Sequence, residues 1–252
     1  MTENELTIVC CYNDDAQYRR LTESLSKQNI GCDLIGIDNC NQKYASCSKA
    51  LNSVIHQITT KYVIYAHQDI VLPENTTLEK YVGYLEQIKK NDILGVAGIA
   101  PLSLENGGDQ GVVLSNVRHG SGLALAGEKD FSGMVICDTI DECFFGGYTE
   151  CFLTDPFNEE LCDNWHMYAV ERCLHARAAG HKVYVCDIPL LHYSGGHINH
   201  AYNLNFRRIA AHYAKQMQWI RTVCGSARTD FLHRTAFYLK REILIRLRRY
   251  ES

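Results

Sequence analysis

The stretch Tyr62-Val63-Ile64-Tyr65-Ala66-His67-Gln68-Asp69-Ile70-Val71-Leu72-Pro73 joins an apolar run to a short polar segment. An uninterrupted run of β-branched and aromatic side chains is typical of a strand that is buried on both faces of a sheet. This strand is predicted to end at a carboxylate, Asp69. In open α/β sheets, ligands bind at the carboxyl ends of the strands. Asp69 is therefore the first candidate for a functional residue, as a ligand of a divalent cation and its phosphate partner.

Short apolar strands alternate with amphipathic helices on both sides of this stretch. The predicted elements are strand Thr7–Cys11, helix Asp15–Gln28, strand Cys32–Asp38, helix Ser46–Ile58, strand Tyr62–Ala66, helix Thr76–Lys90 and strand Ile93–Ile99. This alternation predicts an α/β fold with a mixed, mostly parallel, doubly wound sheet flanked by helices. The strand ends then bring three polar clusters to one edge: Tyr12 with Asn13, Asp38 with Asn39, and His67–Asp69.

The second half of the chain is less regular. Several glycines interrupt the pattern between Pro101 and Asp130, and we expect a mobile loop there that closes over a bound ligand. The pattern beyond it predicts strands at Val135–Asp138, Glu142–Phe145 and Val183–Ile188, and helices at Asn164–Ala179 and Asn203–Val223.

Composition and charge argue against several classes of protein. The chain has 252 residues, which are enough for one sizeable core, and its net charge of −4 is not that of a nucleic-acid binder. No apolar run reaches the roughly 18 residues of a membrane span, and Met1–Leu6 lacks the pattern of a secretory signal, so we expect a cytoplasmic protein. The twelve cysteines form no CxxC pair, which favours reduced, buried thiols over disulfides or structural zinc.

The usual phosphate-binding loops are missing after the first predicted strand. Neither GxxxxGK[ST] nor GxGxxG occurs there, so a nucleotide would have its phosphates held in another way. A divalent cation on Asp69 meets that need for a nucleoside diphosphate.

The order and spacing of several segments resemble the GT-A glycosyltransferases, in particular a bacterial family 2-like group whose metal motif reads His-Gln-Asp. The segments are Ile8–Asn13, the helix that contains Asn52, Tyr65–Pro73, Asp141 with Glu142, and Trp165–Gly196. The resemblance implies a GT-A domain over residues 1–223, with a nucleotide-binding half (1–100) and an acceptor-binding half (101–223), and a C-terminal helical appendage (224–252). It implies an inverting transferase that moves a sugar from a nucleotide diphosphate sugar to a hydroxyl of a glycan or lipid-linked acceptor. Bacterial surface polysaccharide synthesis, such as that of capsule or lipopolysaccharide, is the expected setting.

The resemblance also implies roles for single positions. The donor nucleotide is expected to contact Tyr12, Asn13, Asp38, Asn52 and Gln68, and the divalent cation, Mn²⁺ or Mg²⁺, is expected at Asp69 and His192. Acceptor hydroxyls are expected at Asp141, Glu142, Trp165 and His166. His67 and Gln68 depart from the two-acid version of the metal motif, and the imidazole of His192 suits Mn²⁺ better than Mg²⁺.

The proton acceptor departs from the family pattern. The usual Glu-Asp-x-Asp sequence aligns with Tyr168, Ala169, Val170 and Glu171, so an alanine stands where the base is usually found. Glu171 is the first candidate for the general base and Asp163 the second. Plain structural roles stay open for these side chains, as a turn residue for Asp69 and as a solvated helix residue for Glu171.

The last segment, Arg228–Arg249, interleaves apolar and basic residues. This pattern is typical of a helix on an anionic membrane surface, and equally of a packing helix or a dimer contact. Peripheral attachment to the inner face of the bacterial membrane would suit a lipid-linked acceptor.

Two other functions stay open at this point. One is a catalytically silent nucleotide-sugar-binding module, which Ala169 suggests. The other is a metal-dependent phosphodiesterase or hydrolase that uses Asp69, Asp38 and the histidines His192, His197 and His200. The sequence determines neither the donor sugar, the acceptor nor the oligomeric state.

Overall fold

The computed structural model describes residues 4–101, 111–128, 130–194, 196 and 198–247. The strands are β1 (Leu6–Tyr12), β2 (Asp33–Asp38), β3 (Tyr62–Ala66), β4 (Ile70–Val71), β5 (Ile93–Gly95), β6 (Ala97–Pro101), β7 (Gly111–Ser115), β8 (Val117–His119), β9 (Ala124–Leu125), β10 (Met134–Ile136), β11 (Thr139–Ile140), β12 (Phe144–Tyr148), β13 (Val183–Cys186), β14 (Leu190–His192), β15 (Trp219–Thr222) and β16 (Gly225–Arg228). The helices are α1 (Asp15–Leu25), α2 (Cys47–Asn52), α3 (Thr77–Leu85), α4 (Thr149–Thr154), α5 (Tyr168–Ala178), α6 (His200–His212) and α7 (Phe231–Arg246).

The central sheet has seven strands in the order β10-β13-β5-β12-β3-β1-β2. Strands β1, β2 and β3 are parallel neighbours, and β13 is parallel to β5. Strands β12 and β10 run antiparallel to their partners. The mixed, mostly parallel sheet with flanking helices confirms the predicted fold class.

Strand β3 lies inside this sheet because all of its side chains are apolar or aromatic and buried. It pairs with β1 on one edge and with β12 on the other. Val63 and Tyr65 belong to the core on one face, whereas Tyr62, Ile64 and Ala66 belong to the core on the other. Both faces and both edges of β3 are therefore occupied, and the next residue, His67, emerges at the carboxyl edge of the sheet.

Several predicted helices are shorter in the structure; helix Ser46–Ile58, for example, is α2 followed by a 3-10 turn at Ile55–Gln57. Four other predictions differ in the kind or position of the element. The predicted strand Ile93–Ile99 is two strands, with β5 in the central sheet and β6 in a second sheet between β11 and β7, because a continuous apolar run carries no signal for a change of sheet. The predicted helix Asn203–Val223 ends at His212, and the hairpin β15–β16 follows, since Trp219–Thr222 is rich in residues that favour strands. The predicted strand Glu142–Phe145 starts later, as β12, which leaves Glu142 in the preceding turn.

The fourth difference concerns the expected mobile loop between Pro101 and Asp130. Residues 102–110 and 129 lie outside the described residues. Residues 111–125 contain the strands β7, β8 and β9, of which β7 pairs with β6 and β8 pairs with β14. The glycines there therefore fall within and between short strands.

The C-terminal helix α7 packs on α6. The Nδ2 group of Asn203 donates a hydrogen bond of 2.7 Å to Oε1 of Glu242, and the buried guanidinium of Arg241 lies over the rings of Tyr202 and Phe237. Arg248 and Arg249, at the end of the predicted basic helix, lie outside the described residues. None of the helices in the described ranges is both long enough and apolar enough to cross a membrane.

Gly146 in β12 provides a test of how closely the central strands pack. A Cβ atom at this position would lie 2.0 Å from the carbonyl oxygen of Val63 in β3, so Gly146→Ala is expected to lower the free energy of unfolding by about 1–3 kcal/mol or more. A Cβ at Gly83 in α3 meets no atom within 4 Å, so Gly83→Ala is the matched control and should be neutral or stabilising by up to about 1 kcal/mol. Urea denaturation measures both, and an unchanged midpoint for Gly146→Ala would contradict the pairing of β12 with β3.

Candidate functional site

A cleft with a volume of about 860 Å³ opens where β1, β2 and β3 end. This volume suits a nucleotide-sized ligand. The lining residues include five of the predicted site residues, Tyr12, Asn13, Gln68, Asp69 and Trp165. The others are Cys11, Asn39, Cys40, Gln42, Tyr44, Ala45, Cys47, His67 and Tyr168.

The Gln68 side chain, which lines this cleft, joins two strand ends. Its Oε1 atom accepts hydrogen bonds from the backbone N–H groups of Asn13 (2.8 Å) and Asp14 (2.9 Å), and its Nε2 group donates to Oδ1 of Asn13 at 2.8 Å. All the polar atoms of the Gln68 amide group are thus engaged by the segment that follows β1. Gln68 positions Asn13, and its own amide faces the protein.

Three side chains converge at the end of β3 in an arrangement that could hold a metal ion. The potential ligand atoms of His67, Asp69 and His192 all lie within 4.8 Å of one another. Strand pairing brings them together, because β4 runs antiparallel to β14 with His192 opposite Ile70. The backbone N–H of Tyr193 also donates to the carbonyl of Asp69 at 3.1 Å.

The electrostatics of this cluster favour an ionised carboxylate. Nε2 of His192 lies 3.4 Å from Oδ1 of Asp69, and it is buried without a well-formed hydrogen bond. Burial opposes charge on both groups, yet their mutual attraction lowers the pKa of Asp69 and raises that of His192. Burial and the neighbouring His192 lower the pKa of His67, which favours the neutral imidazole that binds metals.

His67 has a second partner on the far side of the ring. Its Nε2 atom lies 3.1 Å from the hydroxyl of Tyr168 at the start of α5, and Tyr168 lines the cleft. Hydrogen bonds of this kind orient histidines that hold metal ions. Tyr168 therefore connects the cluster of His67, Asp69 and His192 to α5.

Asp141 and Glu142 lie in the turn before β12, where Oδ1 of Asp141 accepts a hydrogen bond of 2.9 Å from the N–H of Cys143. Asp141, Cys143 and His192 also come within metal-ligand distance of one another, but burial raises the pKa of the Cys143 thiol well above its ordinary value. A neutral thiol is a poor ligand, so the group around Asp69 is the better metal site.

The structure places the other predicted site residues away from the cleft lining. The Asn52 amide bonds to the backbone of Phe157 and to Glu159, so it holds a loop. The carboxylate of Asp38 is exposed and accepts a hydrogen bond from the N–H of Cys40 at 2.8 Å. His166 lies beside the cleft residue Trp165, with Nε2 3.1 Å from Nδ2 of Asn199.

The two predicted bases also have partners elsewhere. Glu171 is buried, and its Oε1 atom accepts a hydrogen bond of 2.8 Å from the Tyr213 hydroxyl. Burial raises its pKa. Asp163 forms an ion pair of 2.6 Å with Arg208. The structure therefore brings neither carboxylate into the cleft, because the face of α5 that carries Glu171 packs towards the segment after α6.

Several cleft residues were not singled out from the sequence. Tyr44, Gln42 and Cys47 belong to the loop after β2 and the start of α2, where no periodic pattern indicates which side chains face a ligand. The sequence places His67 in the polar cluster at the strand end and marks it as a departure from the two-acid motif, but assigns it no role as a ligand. Its position, two residues before Asp69 at the end of the same strand, was the available signal for a ligand.

The sequence and the fold both match glycosyltransferases. The model of the family described as "Glycosyltransferase like family" matches residues 7–227, whereas no curated protein matches the chain significantly. Staphylococcal (S. aureus) TarS 1-349 in complex with UDP-GlcNAc superimposes with a TM-score of 0.56 at 12% identity, over 82% of this chain and 66% of that one.

Two further solved structures share the fold. Mannosyltransferase PcManGT from Pyrobaculum calidifontis, in complex with GDP-Man and Mn²⁺, has a TM-score of 0.55 at 10% identity, over 85% of this chain and 64% of that one. GalNAc-T7 with UDP, GalNAc and Mn²⁺ has a TM-score of 0.56 at 10% identity, over 83% of this chain and 48% of that one. The chain thus spans no more than 66% of the length of these three proteins. The likeness confirms the GT-A fold.

The bridging role of Gln68 leads to a prediction about stability. Gln68→Leu leaves the N–H groups of Asn13 and Asp14 without their acceptor, and should lower the free energy of unfolding by about 1–3 kcal/mol. Gln87→Leu is the matched control, because the Gln87 amide is exposed and donates only to Gly83 in its own helical segment, and should change stability by less than about 0.5 kcal/mol. Equal losses of unfolding free energy in the two variants, measured by urea denaturation, would mean that the Gln68 hydrogen bonds do not stabilise the fold.

Proposed function

The chain belongs to the glycosyltransferase-like family, and on that premise we propose that it transfers a sugar from a nucleotide diphosphate sugar to a hydroxyl of a glycan or lipid-linked acceptor, with inversion. The observation that carries the proposal is the cluster of His67, Asp69 and His192, of which His67 and Asp69 line the 860 Å³ cleft. We place the nucleoside between Tyr12 and the loop that contains Tyr44, and the diphosphate beside Asp69. Two of the fold relatives hold nucleotide sugars and a third holds UDP, which supports this donor class.

The residues of the cluster fit a divalent cation. One carboxylate and two imidazoles form a ligand set that suits Mn²⁺, and the buried Nε2 atom of His192 has no well-formed hydrogen bond to give up. Two of the fold relatives contain Mn²⁺. When bound, the cation would neutralise the charge that grows on the departing diphosphate. Asp69 and His192, with His67 as a third ligand, are the residues that would hold it.

Binding of the donor has a direct test. Asp69→Asn removes the negative charge that a cation and a diphosphate require, so Mn²⁺-dependent binding of UDP and of GDP should fall at least 100-fold or become undetectable. Asp33→Asn is the matched control, since Asp33 is exposed at the start of β2 and bonds to Asn4, and it should bind like the wild type. Isothermal titration calorimetry, with and without Mn²⁺, measures both. Unchanged binding by Asp69→Asn would reject the proposed site.

The products of turnover separate the competing functions. Incubation with Mn²⁺ and a panel of nucleotide sugars should release a nucleoside diphosphate, as sugar transfer requires. A phosphodiesterase would release a monophosphate instead, and a catalytically silent binding module would bind the donor and release neither. Of the residues considered for the hydrolase, His200 pairs with Glu242 on α7 and Asp38 is not among the residues that line the cleft, which supports the transferase; His197 lies outside the described residues.

We also propose that α7 places the enzyme on the inner face of the bacterial membrane. One side of this helix exposes Leu232, Leu239, Ile243 and Leu247, each more than half exposed, at spacings of seven and four residues that align on one face. Lys240 and Arg246, also exposed, flank this apolar stripe. An exposed apolar stripe between cations suits the surface of an anionic bilayer, and such a position would bring the cleft to a lipid-linked acceptor in surface polysaccharide synthesis.

The membrane contact predicts a difference between two double variants. Leu239→Gln with Ile243→Gln should reduce sedimentation with anionic phospholipid vesicles at least 10-fold, because the apolar stripe supplies the insertion energy. Leu34→Gln with Leu153→Gln, at exposed leucines elsewhere, is the control and should sediment like the wild type. Wild-type protein that stays in solution would reject the proposal, and a wild-type dimer that the α7 substitutions dissociate would assign the stripe to a second copy instead.

A further inference from the structure

The loop that follows β2 is fastened to the end of the central sheet. The backbone N–H of Asn39 donates a hydrogen bond of 2.7 Å to the carbonyl of Tyr12, the last residue of β1. The Asn39 amide holds the other end of the loop, because its Oδ1 atom accepts from the N–H of Tyr44 at 2.8 Å and its Nδ2 group donates to the carbonyl of Tyr44 at 3.3 Å. Asn39 is itself buried. These bonds fix the loop of residues 39–44 against the edge of the sheet where the cleft opens.

Gln42 lies within this loop in a left-handed backbone conformation. Its φ angle is 53°, and its N–H donates to the carbonyl of Asn39 at 2.9 Å, which closes a tight turn. Glycine adopts such a φ angle freely, whereas a residue with a side chain is strained there. Strain of this kind gathers at sites that bind ligands. The Gln42 side chain is exposed and lines the cleft, so the loop carries a side chain at a position where the backbone favours none.

The Gln42 amide differs from the other carboxamides of the cleft in having no protein partner. The carboxamides that line the cleft are those of Asn13, Asn39, Gln42 and Gln68. Asn39 and Gln68 engage both ends of their amides, and Oδ1 of Asn13 accepts from Gln68. Among the residues that the structure describes, the Gln42 amide has no hydrogen-bond partner at either end. Its oxygen can therefore accept from a ligand while its nitrogen donates to the same ligand.

The order of the strands places this amide at the base end of the proposed donor. Strands β3, β1 and β2 are consecutive in the sheet and adjacent strands lie about 4.8 Å apart, so the loop after β2 lies roughly 10 Å along the edge from the end of β3. A nucleoside diphosphate whose diphosphate lies beside Asp69 spans a comparable distance to its base. Tyr12, on the strand between them, is stacked on Tyr18 with ring centroids 4.1 Å apart, so a flat base can stack on the other face of the Tyr12 ring.

We propose that the amide of Gln42 hydrogen-bonds to the nucleobase of the donor and selects among bases, an inference that rests on the proposed function. A carboxamide sets a donor and an acceptor side by side, and it forms paired hydrogen bonds with the edge of a base. A base that leaves one of these groups unmatched in the closed complex binds less tightly. Gln42 thus determines which nucleotide binds, while the diphosphate and its cation stay with Asp69.

Gln42→Met tests the contact, because it keeps the length of the side chain and removes both hydrogen-bonding groups. UDP, GDP, ADP and CDP are titrated calorimetrically with Mn²⁺, together with ribose 5-diphosphate, which has no base. The affinity for the nucleotide that the wild type prefers should fall by about 10-fold or more, whereas ribose 5-diphosphate should bind as it does to the wild type. Gln57→Met is the matched control at an exposed glutamine outside the cleft lining, and should change neither affinity.

Gln42→Glu adds a test with a direction, because a carboxylate only accepts hydrogen bonds. Guanine offers two N–H donors on one edge, whereas uracil offers one N–H between two oxygens. The ratio of the GDP affinity to the UDP affinity should therefore rise by about 10-fold or more in Gln42→Glu. The added negative charge acts on both diphosphates alike, so the ratio isolates the effect on the base. Gln57→Glu should leave the ratio unchanged.

The other outcomes overturn the assignment in ways that can be told apart. Equal losses for the preferred nucleotide and for ribose 5-diphosphate in Gln42→Met, or an unchanged ratio in Gln42→Glu, would reject the contact with the base and leave the transferase function intact. Gln42→Gly should unfold at a urea concentration no lower than the wild type, since glycine relieves the strain, and a lower midpoint would assign the Gln42 side chain to the fold. A wild-type protein that binds no nucleoside diphosphate with Mn²⁺ would reject the proposed function and this role with it.

Discussion

The burial of β3 on both faces and both edges is the constraint on which the site depends. Its side chains alternate between the two cores of the sheet, and its backbone is paired on each side. A slip by one residue would move every side chain of β3 into the core on the opposite face, where the packing is made for a different set of side chains. The register places His67, Gln68 and Asp69 at the carboxyl edge, where polar groups can meet a ligand. The enclosed strand therefore fixes the position of the polar residues that follow it.

Contacts between distant segments then complete the cleft around that strand end. The pairing of β4 with β14 brings His192 to Asp69, and the amide of Gln68 ties the end of β3 to Asn13 after β1. On the other side, the hydroxyl of Tyr168 links His67 to the start of α5. These contacts connect residues from four separate stretches of sequence. The contacts of His67 and His192 are partly buried, where the loss of a polar partner lowers stability more than it does at the surface.

The two faces of helix α7 differ in the residues that they bury and expose. Its inner face buries Arg241 and Glu242 against α6, so the buried side of this helix is the charged one. Its outer face exposes Leu239, Ile243 and Leu247. Exposing these apolar side chains to water is unfavourable. The arrangement is consistent with a helix that contacts the protein through its charged and aromatic residues and another surface through its apolar ones. The exposed stripe of α7 is thus separate from the residues that line the cleft.

The sequence by itself determined the α/β class, the buried strand and the carboxylate at its end, because hydrophobic periodicity and strand-end polarity are local properties. It also placed Tyr12, Asn13, Gln68, Asp69 and Trp165 at the cleft that the structure shows. It could not decide the roles of Gln68 and Asn52, whose amides turn to backbone partners in other segments. Only the tertiary structure turned Glu171 towards Tyr213 and brought Gln42 to the lining of the cleft. The physical reason is that proton acceptance and metal binding depend on burial and on partners far apart in the chain, and those are set by packing.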